Sequence, residues 1–373
     1  MTAAPGSPRV PFLDLAGVHA ELRTELDAAA LRVLHSDRVL LGPELEGFEE
    51  SWAAAVGARH AVGVGSGLDA LSLGLRALGV GPGDEVLVPS HTFVATWLAV
   101  LHVGAVPVPV DVRSAAGDWD PAALEAAVTP RTRAVVPVHL YGHPVDLAAV
   151  MDVAGRHDLA VLDDAAQAHG ARLGDRPVGG LAHATAWSFY PGKNLGALGD
   201  GGAVTTSDPA IAGRMRSLRN YGSTEKYRHD EVGWNSRLDE VQAALLAVKL
   251  SRLGEHNARR DAVALRYDEG LAGLGLGLPE RVPGTTPAWH LYVVRSPHRD
   301  RLRTHLAERG VETLVHYPVP CHRQPAFAGT DLADRHLPVA DRLAGEVLSL
   351  PMGPALRPDQ QDLVIDAVLA FRP

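Results

Sequence analysis

A lysine, an aspartate and a glutamine stand in two neighbouring segments, VLDDAAQAHGA and WSFYPGKNLGALGDGGAVTT. Lys193 follows Asp164 by 29 residues, with Gln167 just after the aspartate. An amine can form a Schiff base, a carboxylate can hold a pyridine nitrogen protonated, and an amide can bond a phenolic oxygen. Pyridoxal 5'-phosphate (PLP) needs those three groups from a protein, so the chemistry to expect is PLP catalysis, with Lys193 holding the cofactor and moving protons. Asp163 competes with Asp164 for the pyridine nitrogen. Residues three apart at a strand-to-helix turn can project the same way, which pairs Asp164 with Gln167 and leaves Asp163 facing elsewhere.

Two further needs of such a cofactor have candidates. A phosphate sits best on free backbone N–H groups at a helix start. VGVGSGLDAL offers that start at Ser66, Gly67 and Leu68, and Ser188, five residues before the lysine, adds a hydroxyl. The same string invites a dinucleotide reading, but the third glycine of G-x-G-x-x-G falls at Leu68, so that fingerprint fails. An aromatic plate for the ring is available in Phe93 of PSHTFVATW, for which a place in the core is the competing assignment.

The elements that must position these groups are legible as short valine-rich runs stopped by turn residues: DEVLVPS (84–90), GAVPVPVDV (104–112), RAVVPVHLYG (133–142), LAVLDDAAQ (159–167), ATAWSFY (184–190) and GGAVTTSD (201–208). Helical text lies between them. LDALSLGLRALGV puts Leu68, Leu71, Leu75 and Leu78 on one face, and Asp120 before Pro121 reads as an N-cap. This alternation predicts an α/β domain with a mostly parallel sheet, whose ligands sit at the carboxyl ends of the strands. Phe93, Asp164 with Gln167, and Ser188 with Lys193 all follow such ends.

After about residue 235 the text becomes one long helical stretch, then a smaller α+β unit with WHLYVVRS as a strand and RDRLRTHLAERG and PDQQDLVIDAVLAFR as helices. The expected division is a large α/β domain over residues 1–250 and a small α+β domain over 251–373, with the first few dozen residues packing back on the second unit.

Composition narrows the class. Hydrophobic residues make up 46% and charged residues 21%, ordinary for a packed soluble enzyme. With 44 acidic against 35 basic residues the net charge is -9 and arginine is scattered, which argues against a nucleic-acid partner. The lone Cys321 excludes an internal disulfide framework and fits a reducing compartment. The 18 histidines include no metal-binding spacing, and the N-terminal MTAAPGSPRVPFLDL has no apolar stretch of signal-peptide length. No apolar run is long enough to span a bilayer. The expectation is a cytoplasmic protein without a metal, a membrane or a nucleic acid among its partners.

GSGLDALSLGLRALG, PSHTFVATWLAV, VHLYGHP, DDAAQAHGA, SFYPGKNLGALGDGGAVTT, LRNYGS, GWNSRLDEVQAALLAVKL and VHYPVPCHRQPAF together resemble the sugar-nucleotide aminotransferases of the DegT type, in order from about residue 10 to 370. The resemblance implies the type I PLP-dependent transferase fold and a homodimer with shared active sites. It implies transfer of an amino group from L-glutamate to a nucleotide-linked keto-sugar. By the same resemblance, Lys193 is the Schiff-base lysine, Asp164 and Gln167 meet the ring, Phe93 stacks on it, Ser188 and the Gly67–Leu68 backbone hold the phosphate, and Asn235 reaches the partner's phosphate. Tyr190, Tyr227, His316 and Tyr317 match positions that hold the sugar diphosphate.

Many similar enzymes have Asn-Gly-Thr where this chain has Ser66-Gly67-Leu68, so one hydroxyl is missing from the phosphate site. A dehydrating branch replaces the lysine by histidine, and Lys193 therefore favours transamination. The nearest resemblance is to enzymes that aminate C3 of thymidine-diphosphate 3-keto-6-deoxyhexoses in antibiotic biosynthesis. Amination at C4, a keto-cyclitol aminotransferase and a non-catalytic regulator of the same fold are the alternatives.

Overall fold

The computed structural model describes residues 10–372; residues 1–9 and 373, at the outer ends of the two expected units, lie outside the described residues, as does most of the N-terminal stretch considered above. Seven strands form the central sheet: β1 (His60–Val64), β2 (Glu85–Pro89), β3 (Val106–Val110), β4 (Thr132–Val135), β5 (Ala160–Asp164), β6 (Ala184–Ser188) and β7 (Gly202–Thr206). Their order is β1-β7-β6-β5-β4-β2-β3. β7 alone runs against its neighbours, being antiparallel to both β1 and β6, while the remaining pairs are parallel. This is the mostly parallel α/β sheet expected from the alternating text.

Side chains two apart along a strand share a face, and the sheet uses both faces for burial. Val86, Val88, Leu162, Ala184, Ala186 and Val204 enter one core with helices α1 (Gly67–Ala77) and α2 (Ala95–His102). Leu87, Val135 and Val161 face the opposite side, in a core with Leu147, Val150 and Val153. Being covered on both sides is what parallel strands require, and it explains their near-continuous apolar sequences. The same parity decides where the site residues point. Asp164 and Ser188 fall on the side of α1 and α2, and Asp163 on the other.

The helical stretch expected beyond residue 235 is two helices, α3 (Glu240–Leu250) and α4 (Leu253–Gly270). The break falls at Ser251, whose hydroxyl donates to the Val248 carbonyl at 2.7 Å and so competes with the helical ladder. α3 packs on N-terminal helical residues, with Ala244 and Leu245 against Leu22, Leu26 and Val33. α4 contributes Val263, Ala264 and Tyr267 to a separate core. That core also holds the antiparallel pair β8 (Tyr292–Arg295) and β9 (Val347–Leu350), with the helices Arg299–Glu308 and Pro358–Leu369. Of the N-terminal segment, Val10 joins this second core, whereas residues 22–33 pack on α3 instead.

Candidate active site

β5 and β6 are adjacent and parallel, with Asp164 opposite Ala186, so the carboxylate and the Ser188 hydroxyl leave the sheet at the same edge and on the same face. Asp164 is buried, and its carboxylate accepts hydrogen bonds from the Thr96 hydroxyl at 2.9 Å and the Ala166 N–H at 3.2 Å. Burial holds its pKa above the ordinary carboxylate value, with those two donors and the charge of Lys193 opposing. Asp163 is a structural group. Its carboxylate binds His139 Nε2 at 2.9 Å, and the Val145 N–H donates to His139 Nδ1, which fixes the proton on Nε2. The strand's two-residue period thus separates the adjacent aspartates as their spacing to Gln167 suggested.

Lys193 lies half-buried in the return from β6 to β7, its backbone N–H bonded to the Tyr190 carbonyl at 2.8 Å. Its amine makes no hydrogen bond among the described residues. Burial pushes it down to about 8, with Asp164 pulling the other way. A free amine fraction near neutral pH is what a nucleophilic lysine needs. The loop is held from α3: buried Lys249 donates to the Gly196 carbonyl at 2.6 Å and Gln242 accepts from the Leu198 N–H at 2.8 Å.

Gln167 is buried with its amide orientation settled, since Oε1 accepts from the Tyr141 N–H at 2.6 Å. Nε2 therefore faces outward as a donor and reaches the Tyr317 hydroxyl at 3.2 Å. Tyr317 stands against Phe93, ring centroids 5.4 Å apart, and follows His316 through a cis peptide bond. Phe93 is 53% exposed, so it is not the core residue that was its alternative. His316 donates or accepts through Nδ1 with Ser349 Oγ at 2.7 Å, and burial lowers its pKa to about 4.

At the start of α1 the Ser66 hydroxyl caps the helix by accepting from the Asp69 N–H at 3.1 Å. The N–H groups of Gly67 and Leu68 belong to its first turn, which has no intrahelical acceptor for them. A Cβ on Gly67 would lie 2.6 Å from Ser188 Cβ, so the helix start and the serine are in close contact only because residue 67 is glycine. Together these form an anion cradle beside the Asp164–Lys193 pair. The lysine amine, the buried carboxylate, the outward amide, the flat aromatic face and the cradle fit PLP.

Tyr190 is exposed beside this cradle, its N–H donating to Ser188 Oγ at 3.3 Å. Asn235 is exposed and pairs with Asn220 across an isolated bridge, and Tyr227 is 87% exposed on a small hairpin. No hydrogen bond among the described residues joins either of them to the other candidates. Reading the residues missed three participants. Thr96 holds Asp164; Tyr141 orients Gln167; and Ser236, beside Asn235, accepts from the Gly65 N–H and donates to Asp69 at 2.7 Å. None of the three carries a distinguishing signal in the sequence.

The family model for the DegT/DnrJ/EryC1/StrS aminotransferase family matches residues 20–369. The chain belongs to this family. It is 57% identical, over 99% of this chain and 97% of the other, to the dTDP-3-amino-3,4,6-trideoxy-alpha-D-glucose transaminase of Streptomyces venezuelae. It is 56% identical, over 97% and 99%, to the erythromycin biosynthesis sensory transduction protein EryC1 of Saccharopolyspora erythraea. Among solved structures, that of S. venezuelae DesV in complex with a ketimine intermediate superposes with a TM-score of 0.95 at 56% identity, covering 98% of this chain and 100% of that one. The family member described here is an aminotransferase with the type I fold.

Proposed function

We propose that this aminotransferase uses PLP to move an amino group from L-glutamate to C3 of a dTDP-linked 3-keto-6-deoxyhexose in the making of an antibiotic amino sugar. The observation that carries the reaction is the coupling of Lys193, its amine held at about 8, to buried Asp164 on the adjacent strand. When bound, PLP supplies the electron sink through which an amino group is held between donor and acceptor. Lys193 binds it and carries the proton at its own Nζ. Asp164 keeps the ring nitrogen protonated, Gln167 donates to the phenolic oxygen, and Phe93 covers the ring face. Ser188, Ser66 and the Gly67–Leu68 N–H groups hold the phosphate.

Tyr190, His316 and Tyr317 line the side from which the sugar diphosphate approaches. Amination at C3 is favoured over C4 by the name of the 57% identical transaminase. A regulatory role, the sense of the Saccharopolyspora protein's name, is the second reading. Glutamate consumption measured over a panel of 3-keto and 4-keto dTDP-sugars and keto-cyclitols decides among these, and no turnover on any of them would leave the regulator.

The exposure of Asn235 supports a homodimer in which it reaches the phosphate of the partner's site, and Tyr227 stays a candidate for holding the sugar diphosphate. Mixing inactive Lys193→Ala chains with inactive Asn235→Ala chains should then restore part of the activity, because one site of a heterodimer has both residues; no recovery despite verified exchange counts against sharing. The separate cores of the sheet and of α4 support a division near residue 250. No helix is long and apolar enough to cross a membrane and no metal-binding cluster occurs among the described residues; a cytoplasmic location completes the proposal.

A further inference from the structure

The residue that follows the lysine makes contacts that the reaction as described does not use. Asn194 Nδ2 donates to Asn257 Oδ1 at 2.9 Å, on α4, and to the Ala288 carbonyl at 2.7 Å. Its Oδ1 faces His290 Nδ1 at 3.2 Å. Every orientation in this chain is determined. Asn257 Nδ2 donates to the His169 carbonyl at 2.7 Å, and a carbonyl only accepts, so Asn257 must present its oxygen to Asn194. Asn194 then presents its nitrogen to two acceptors and keeps its oxygen for His290, whose Nδ1 must carry the hydrogen. Arg260, also buried on α4, braces the same segment by donating to the Trp289 and His290 carbonyls.

We propose that Asn194 is the positioning residue for Lys193: a latch of neutral hydrogen bonds, through Asn257, Ala288 and His290, that ties the lysine loop to α4 and keeps the amine out of water. This rests on Lys193 as the cofactor-binding lysine. The ties from α3 reach the loop only at Gly196 and Leu198, beyond the lysine, whereas Asn194 fastens it at the very next residue. The latch is also neutral, which suits its place. Asp164, His169, His290 and His316 are the titratable groups whose fields meet Lys193, and burial keeps the three histidines uncharged, so Asp164 alone brings charge to the amine.

The test uses the cofactor-free protein. Brief acylation across a pH series, with the Lys193 peptide quantified by mass spectrometry, gives the pH at which that amine is half reactive, near about 8 in the parent chain. Asn194→Ala and, independently, Asn257→Ala should raise the midpoint by about one pH unit or more toward the ordinary lysine value, because burial is what lowers it. The double variant should add little, since both remove one latch. An unchanged midpoint in either variant, with circular dichroism showing a native fold, overturns the proposal; a merely structural asparagine would lower the melting temperature and leave the midpoint in place. Borohydride fixation of PLP is run in parallel on the parent chain and on Lys193→Ala. Fixation that survives Lys193→Ala would sink the lysine assignment itself, whatever the latch variants do.

Discussion

At the scale of single residues, the site depends on a carboxylate kept charged in a place that disfavours charge. Replacing Asp164 by Asn removes the partner of the ring nitrogen without changing shape, and turnover should fall on the order of a thousandfold with the fold intact. Asp163→Asn keeps an oxygen for His139 Nε2–H and should be far milder, so steady-state kinetics of the two variants separate the neighbours. Thr96→Val removes the hydroxyl donor from Asp164. A hydrogen bond to a charged group contributes about 1.5–3 kcal/mol, so kcat should drop roughly tenfold to a hundredfold. Loss of that donor also raises the Asp164 pKa further, so the acidic limb of the rate profile should move to higher pH, and a limb that stays put would mean that Thr96 does not act on the carboxylate. That the two aspartates face opposite sides of the sheet was legible in the sequence because strand parity is a local property. Thr96 was not, since a threonine among apolar residues at a helix start has no distinguishing signature until the strand it faces is known.

At the scale of elements, the start of α1 shows why a glycine is needed next to the capping serine. Gly67→Ala would drive a methyl to within 2.6 Å of Ser188 Cβ, pushing the helix start and the serine apart. PLP affinity, followed by fluorescence titration, should weaken by about tenfold or more while the melting temperature of the cofactor-free protein changes little, because the displaced groups are at the rim of the sheet and not in its core. The six valine-rich runs were all readable as strands because burial on both faces favours apolar residues along most of each strand. β9 escaped notice for the same physical reason turned round: four residues following a helix, paired along their length with β8 and at a single bridge with Leu314, carry too short a pattern to tell from the helix end. The missed break between α3 and α4 has a comparable cause, a serine that competes for one carbonyl in otherwise strong helical text.

At the scale of the whole molecule, the histidines set the response to acid. His91, His143 and His169 are buried, and burial lowers the first two to about 4 and His169 to about 3. Unfolding returns each to an ordinary value near 6.5, so between about pH 4 and 6.5 the unfolded chain binds more protons than the folded one. Stability should therefore fall as pH drops below about 6.5, by about 1.4 kcal/mol per pH unit for each such histidine. Urea midpoints between pH 5 and 7.5 measure this. His169→Leu should flatten the slope by about one histidine's share, and an unchanged slope would show that His169 does not stay neutral in the fold.

The one reversed strand, β7, has a consequence for exchange of backbone hydrogens. Because β6 and β7 are antiparallel neighbours, the peptide between them turns straight back at one edge of the sheet instead of crossing beneath it. Its amides are pinned at close range: Phe189 N–H to the Gly201 carbonyl, Ala197 N–H to the Phe189 carbonyl and Lys193 N–H to the Tyr190 carbonyl. Active-site loops commonly open more easily than the scaffold that bears them. Here the segment that carries the reactive lysine should instead exchange with deuterium as slowly as the strands on either side of it, while the hairpin bearing Tyr227 equilibrates early, so that the rigid and the pliable parts of the site divide along the sheet edge.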